Sequence, residues 1–396
     1  MDRIELLAPA GDMERLKVTL LYGADAVYIG GYKYGLRANA INFSKEQIKE
    51  ACVFAHRLNK KVYLTLNMVF HNEDIDGVYE YIDEVVKCGI DAFIISDPFL
   101  ISYIKEKYKS VEVHLSTQNS TTNYEIVNYF KGKGVDRVVL ARELSREEIK
   151  EIIDKTHVDT EIFIHGAMCT FYSGRCCLSN YVTNRDSNRG GCAQVCRFAF
   201  AMEDEKDLFT FATNDLNLAR YIKDIIDIGV KSIKVEGRMR TIYYLATIIG
   251  SYRKLIDAYY DGKLTDELLQ EQVRIVNRVA NRKTSSHYFS HQANETDQYF
   301  TGRSEASNQD YLALIIGYDE KNKMLIMKER NYFKKGDEVE IFTPTLETYS
   351  FTVDEIYDEK DQLLEVARHP EQILKIKFDK PLPEYSMMRI KTKEEV

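Results

Sequence analysis

Eight short β-forming runs, each separated from the next by an amphipathic helical pattern, limit what the first part of this chain can fold into. The runs are Ile4–Pro9, Ala26–Gly30, Val62–Asn67, Ala92–Asp97, Glu112–Gln118, Arg137–Arg142, Glu161–His165 and Ser232–Glu236. Strands that alternate with helices predict a parallel sheet with crossover helices. Eight of them is the count of a TIM-type (β/α)8 barrel. A doubly wound open sheet has the same local grammar, but the chain lacks a clear nucleotide-binding glycine fingerprint, which favours the barrel. Four helical patterns end in glycine before the next strand, at Gly23, Gly89, Gly134 and Gly229. Glycine there can adopt the left-handed conformation that turns the chain out of a helix.

Side chains two apart on a strand share a face. Glu112, His114, Ser116 and Gln118 share one; Glu161, Phe163 and His165 another; Lys234, Glu236 and Arg238 a third. The intervening Val113, Leu115, Ile162, Ile164, Ile233 and Val235 are apolar and should meet the outer helices. The polar faces should then point into the barrel, either as a site or as a buried, mutually paired network. Barrel enzymes work at the C-terminal ends of their strands. Those ends carry Asn67, Asp97, Gln118, Arg142, His165 and Glu236.

Five of the seven cysteines fall between Glu161 and Arg197. Cys169, Cys176, Cys192 and Cys196 are spaced C-x6-C-x15-C-x3-C, and Cys177 adjoins Cys176. Cys52 and Cys88 lie alone in apolar helical patterns and should be core thiols. The chain starts without a secretory or transit signal, so a reduced, cytoplasmic setting is expected and a disulfide framework is not. Clustered reduced thiols suit zinc or an iron–sulfur cluster. The spacing lacks the paired C-x2-C hooks of a zinc ribbon, which favours iron–sulfur. The loop follows the seventh strand and should hang over the barrel mouth.

Beyond the eighth strand, Thr241 to Tyr260 and Leu264 to Ala280 read as helices. The expected organisation is a barrel with its cysteine cluster over 1–280, a polar linker over 281–310, and a small antiparallel β-barrel over 311–396, where short strands follow one another. No apolar run approaches a membrane span. The net charge of −8 argues against indiscriminate nucleic-acid binding by the whole surface. There is no HExxH or G-x-S-x-G motif.

The run from Glu161 through Gly166, Ala167, Met168, Cys169, Ser173, Gly174 and Cys176 to Ser179 resembles the signature of the collagenase-like peptidase family, long classed as peptidases of unknown catalytic type. The likeness spans nearly the whole chain: LLAPAGDMERL and GADAVYIGG near the N-terminus, HLSTQ at His114–Gln118, LAREL at Leu140–Leu144, NRGGCAQVCR, and KVEGRM at Lys234–Met239. It is similar above all to the branch for 5-hydroxyuridine formation at the tRNA wobble position; another branch serves ribosomal RNA cytidine hydroxylation. The resemblance implies a 4Fe–4S cluster on Cys169, Cys176, Cys192 and Cys196, with Cys177 the alternative fourth ligand and zinc the alternative metal. It implies tRNA as partner, prephenate or another small dicarboxylate as hydroxyl donor, and allows for a paralogous subunit. Arg142, Arg238 and Arg37 would clamp the carboxylates, with Asn67 and Asp97 at the same strand ends. His165, Glu236 and Gln118 would orient the donor or shuttle a proton. A metal-dependent peptidase, with His165 and Cys169 as a dyad, and a non-catalytic metal-folded scaffold are the competing readings.

Overall fold

The computed structural model describes residues 3–36, 42–202, 208–299 and 310–391. Eight parallel strands close into a barrel: β1 (Glu5–Pro9), β2 (Ala26–Gly30), β3 (Lys61–Leu66), β4 (Ala92–Ile95), β5 (Glu112–Leu115), β6 (Arg137–Val139), β7 (Asp159–Gly166) and β8 (Ser232–Val235). Each pairs with the next, and β8 pairs with both β7 and β1. The TIM-type architecture read from the alternation is the architecture observed. No helix among the described residues is long and apolar enough to cross a membrane.

The four glycine junctions form as expected, with φ of 109°, 96°, 92° and 91° at Gly23, Gly89, Gly134 and Gly229. Three of them carry a device that the sequence pattern did not announce. Asp25, Asp91 and Asp136, two residues after the glycine, each accept a hydrogen bond from a backbone N–H at the start of the preceding strand. The donors are Leu6, Val62 and Val113, at 3.0, 2.7 and 2.7 Å. A short side chain thus pins each strand to the turn that begins its neighbour, and satisfies an N–H that would otherwise lack a partner.

Apolar residues on the outward strand faces meet the helices in one large core. That core includes Val113, Leu115, Ile162, Ile164, Ile233 and Val235. Inside the barrel the polar faces divide by depth. At the N-terminal end they pair with one another. Arg137 reaches Glu5 at 2.5 Å and Glu161 at 3.2 Å, Lys234 reaches Glu161 at 2.9 Å, and Ser232 donates to both carboxylates. Tyr63 donates to Glu5, and His114 bonds Glu112 at 2.9 Å. Ala26 and Ala92 pack with Tyr28 and Tyr63 in a small cluster of their own. Towards the C-terminal end the lumen is open.

The C-terminal part is antiparallel, with eight strands from Tyr311–Asp319 to Met387–Ile390 and a separate two-stranded ribbon around a core of its own. It leans on the barrel helices through the stacked rings of Tyr243 and Tyr311, and through Tyr22, whose hydroxyl donates to the Tyr385 carbonyl at 2.8 Å. The stretch from residue 281, read as a polar linker, is ordered onto the barrel as far as residue 299. Thr284–Ser285 pairs with Asp215–Asn217, Gln298–Tyr299 pairs with Ala212–Thr213, and His287 and Phe289 are buried. Residues 300–309 lie outside the described residues.

Glu161 gives a direct test of the network. Burial opposes its charge, yet Lys234 and Arg137 outweigh burial and hold the carboxyl at about 2. Ionised Glu161 therefore favours the folded state above about pH 4, and this contribution is lost as pH falls towards 2. Glu161→Ala leaves Lys234 and Arg137 buried without it and should destabilise the fold by roughly 3–5 kcal/mol. Urea unfolding at neutral pH measures this; an unchanged midpoint would show that the network contributes nothing to stability.

Candidate functional site

The open end of the lumen continues into a cavity of about 290 Å³ under the cysteine loop. Strand ends supply Tyr28 from β2, Thr65 and Asn67 from β3, Ser116 to Gln118 after β5, Arg142 after β6, Phe163 from β7, and Lys234, Glu236 and Arg238 from and after β8. The loop supplies the roof. Cys169, Cys176, Cys192 and Cys196 all face this cavity, with Phe171, Tyr172, Asn188 and Arg197; Cys177 does not line it.

Two glycines let the parts approach. Gly174 sits at φ 73°, and a Cβ there would lie 2.2 Å from the Gln118 carbonyl oxygen, so only glycine lets the loop rest on the turn after β5. A Cβ on Gly30 would lie 2.3 Å from the Arg238 guanidinium, which crosses the end of β2 at that point to reach Asn42 at 2.9 Å.

The cavity is strongly cationic. Among the described residues, Arg142, Arg197, Lys234, Arg238 and Arg282 line it, against the single carboxylate of Glu236. Arg142 donates to the Ala167 carbonyl at 3.2 Å and to Ser173 Oγ at 3.0 Å, while its buried Nε has no partner among the described residues. Burial works against its charge, but Cys169, Glu143 and Glu236 outweigh burial and raise its pKa. Arg197 and Arg282 converge with Arg240 on buried Asp215, at 3.9, 3.3 and 2.9 Å. Three guanidinium groups on one carboxylate leave surplus positive charge beside the sulfurs. Burial and the facing Arg282 push the Arg197 pKa down, against the pull of Asp215. Tyr28 donates to Glu236 Oε2 at 3.2 Å and fixes that carboxylate over the lumen.

Three expected site residues stand elsewhere or go undescribed. His165 lines no part of the cavity. The register of β7 against β8 slips between Lys234 and Val235, so Phe163 and His165 oppose consecutive residues. The extra residue breaks the two-residue alternation. It turns His165 onto Tyr244 and Tyr252, whose hydroxyl lies 3.3 Å from Nδ1. A Cys169–His165 dyad is therefore not assembled. Asp97 also stays outside; its Oδ1 accepts from the Phe99 N–H at 3.4 Å, at the start of the helix Phe99–Lys107. Arg37 lies outside the described residues. Asn67, Gln118, Arg142, Glu236, Arg238 and the four cysteines do converge. Arg197 and Arg282 join them from outside the expected set: Arg197 follows Cys196 directly, and Arg282 stands in the polar run that reads as a linker.

Among the described residues, no three Cys, His, Asp or Glu side chains form a group tight enough for a single metal ion. The four cysteines nevertheless line one space, which is what a wider, thiolate-bound group would need. Burial raises the Cys196 thiol, Arg197 lowers it, and Cys169, Cys192 and Cys176 are near enough to act on it. The Gln194 N–H points at Cys192 Sγ from 3.4 Å, a contact that favours a thiolate. The cysteines are all free thiols.

The model of peptidase family U32 matches residues 11–299, and that of the family's C-terminal domain matches residues 307–389. The chain belongs to peptidase family U32. The tRNA hydroxylation protein P1 of Bacillus subtilis (strain 168) is 44% identical over 97% of this chain and 94% of its own length. The 23S rRNA 5-hydroxycytidine C2501 synthase of Escherichia coli (strain K12) is 38% identical over 66% of this chain, and this match spans 40% of that protein. A collagenase of Porphyromonas gingivalis is 31% identical over 99% of both chains.

The position of His165 has a measurable consequence. Burial, aided by Arg240, lowers its pKa to about 3. The ring should stay neutral throughout the physiological range, and NMR of the imidazole nitrogens should show no titration of His165 between pH 5 and 8. A titration midpoint near the ordinary value of about 6.5 would mean that the ring is open to solvent or to the cavity.

Proposed function

We propose that this U32 protein hydroxylates RNA, forming 5-hydroxyuridine at the tRNA wobble position without oxygen. A 4Fe–4S cluster would be held by Cys169, Cys176, Cys192 and Cys196, and prephenate would supply the hydroxyl group. The observation that carries this reading is the meeting of four free thiols and five cationic side chains in one cavity at the mouth of a barrel. The names of the relatives point the same way, two of them being RNA-hydroxylation proteins. A cluster supplies electron transfer or a binding point for an oxygenated group, tuned by burial and by hydrogen bonds to its sulfurs. Cys196 suits the fourth position better than Cys177, because Cys196 faces the cavity and Cys177 does not.

The chain's own residues would do the rest. A guanidinium fork matches a carboxylate, so Arg142 and Arg238, on opposite sides of the lumen, would each take one carboxylate of a dicarboxylate donor. Lys234, tethered below to Glu161, sets the floor. The Gln118 amide, on the turn that supports Gly174, would orient the donor. Glu236, steadied by Tyr28, is the carboxylate placed to accept a proton. The fold itself would exclude water from the donor once it is seated. A peptidase needs a nucleophile with a base in reach, and the position of His165 removes the dyad that would have served.

The test uses protein purified without oxygen and RNA from a deletion strain carrying each variant. Cys169→Ala and Cys196→Ala should lose iron and sulfide and restore no hydroxylated nucleoside by mass spectrometry, while Cys177→Ala keeps both. Arg142→Gln should keep the iron and lower modification by about 100-fold, in line with the loss of a charged anion contact of roughly 2–3 kcal/mol. Full modification without iron would reject the cluster, and full modification by Arg142→Gln would reject the anion clamp.

A further inference from the structure

A second cavity, of about 380 Å³, lies on the other side of Cys169, and its chemistry is the reverse of the first. Met168, Cys169 and Thr170 form the shared wall. Among the described residues no lysine or arginine lines the second cavity; Glu295 and Asp297 do. An anion is therefore unwelcome there, and phosphate groups must stay outside. Its walls offer flat apolar surface instead. Phe211 packs against Phe209 and Phe200, with ring centroids 5.3 Å away in each case, and is still 40% exposed. The backbone holds this ring beside the cysteines: the Phe211 N–H donates to the Cys196 carbonyl at 2.9 Å, and its own carbonyl accepts from the Thr170 hydroxyl.

Most polar groups around this cavity are already engaged. Asp297 accepts from Ser285, His291 and the Asn294 N–H. His287 donates from Nε2 to the Asn214 carbonyl at 2.9 Å, and burial lowers its pKa, so it stays neutral. The Thr213 hydroxyl donates to the Met168 carbonyl. The half-buried Gln298 is different. Its backbone pairs with Thr213, and among the described residues nothing hydrogen-bonds its side-chain amide. That amide offers one acceptor and two donors next to an aromatic face.

We propose that this second cavity receives one unpaired nucleobase of the RNA, stacked on Phe211 and read at its edge by the Gln298 amide. The anionic donor would occupy the cationic cavity across the shared wall. The proposal rests on the RNA-hydroxylation reading for the nature of the ligand. A base is neutral and flat, with hydrogen-bonding edges, and it leaves a single-stranded loop cheaply. The charge difference between the cavities sorts the two ligands: five cations on one side admit an acid, and their absence among the described residues on the other admits a base.

The experiment measures binding of the whole, anaerobically purified protein to an RNA hairpin with one loop uridine, and to the same hairpin abasic at that position. The wild-type chain should prefer the uridine hairpin by about tenfold, the scale of a single base–aromatic stack. Phe211→Ala should abolish the preference and Phe211→Tyr should restore it. Gln298→Leu should keep binding but lose discrimination between loop uridine and loop cytidine; it also carries the test if Phe211→Ala does not fold. Equal wild-type affinity for both hairpins overturns the proposal, as does a uridine preference that survives in Phe211→Ala. Nucleoside mass spectrometry separates this from the reaction itself. A uridine preference without any hydroxylated nucleoside keeps the subsite and rejects the reaction. Full hydroxylation in both Phe211→Ala and Gln298→Leu keeps the reaction and rejects the subsite.

Discussion

The ion pairs among Glu5, Arg137, Glu161 and Lys234 are the constraint on which the rest depends. A barrel of this type normally fills its lumen with layers of branched aliphatic side chains. Here the lower layer is charged, and its members come from β1, β6, β7 and β8, the strands that meet where the sheet closes. Arg137, Glu161 and Lys234 are buried and Glu5 is half-buried, and each would be costly without its partners. Strand register at the seam is therefore tied to charge pairing as well as to backbone hydrogen bonds. A slip of one residue would turn Glu161 and Lys234 into the apolar outer core.

That floor also shapes the cavity above it. Lys234 belongs to both layers: its ammonium pairs with Glu161 at 2.9 Å, yet it lines the open space. Had an aliphatic layer taken its place, the cavity would begin on neutral ground and rely on its rim for charge. Instead the cationic surface runs from the floor through Arg238 and Arg142 to Arg197 and Arg282 at the rim. The cysteine loop closes this surface from above, and Gly174 permits the contact that seats it.

The strands, the glycine junctions and the cysteine cluster were legible because each depends on residues close in sequence. Period-two alternation placed Gln118, Glu236 and Arg238 at the mouth, and the cysteine spacing placed four thiols in one loop. What escaped depends on distant partners or on a single irregularity. The bulge in β7 turns His165 away from the lumen, and no composition signal marks it in the run EIFIHG. Asp97 reads as an inward strand end but starts a helix. The Asp215 cluster gathers Arg197, Arg240 and Arg282, which are far apart in the chain, and so only the folded structure brings them together. The polar parity of the lumen was visible, but its split into a paired floor and an open mouth was not, because pattern gives the face and not the depth.

The stretch read as a linker shows the same limit and bears on function. Polar composition suggested irregular chain over 281–299, and the elements there are indeed short. They are ordered by pairing with strands of the cysteine insertion, Ala212–Thr213 and Asp215–Asn217, and the second of these in turn pairs antiparallel with β7 at His165 and Gly166. The bulge that removes His165 from the lumen lies at the point where that pairing begins. A straight β7 would direct His165 into the cavity and take the anchor for Asp215–Asn217 with it. Arg282 would then lose its partner Asp215. Giving up the most obvious histidine in the sequence is thus tied to anchoring the carboxylate that gathers Arg197 and Arg282 beside the cysteines.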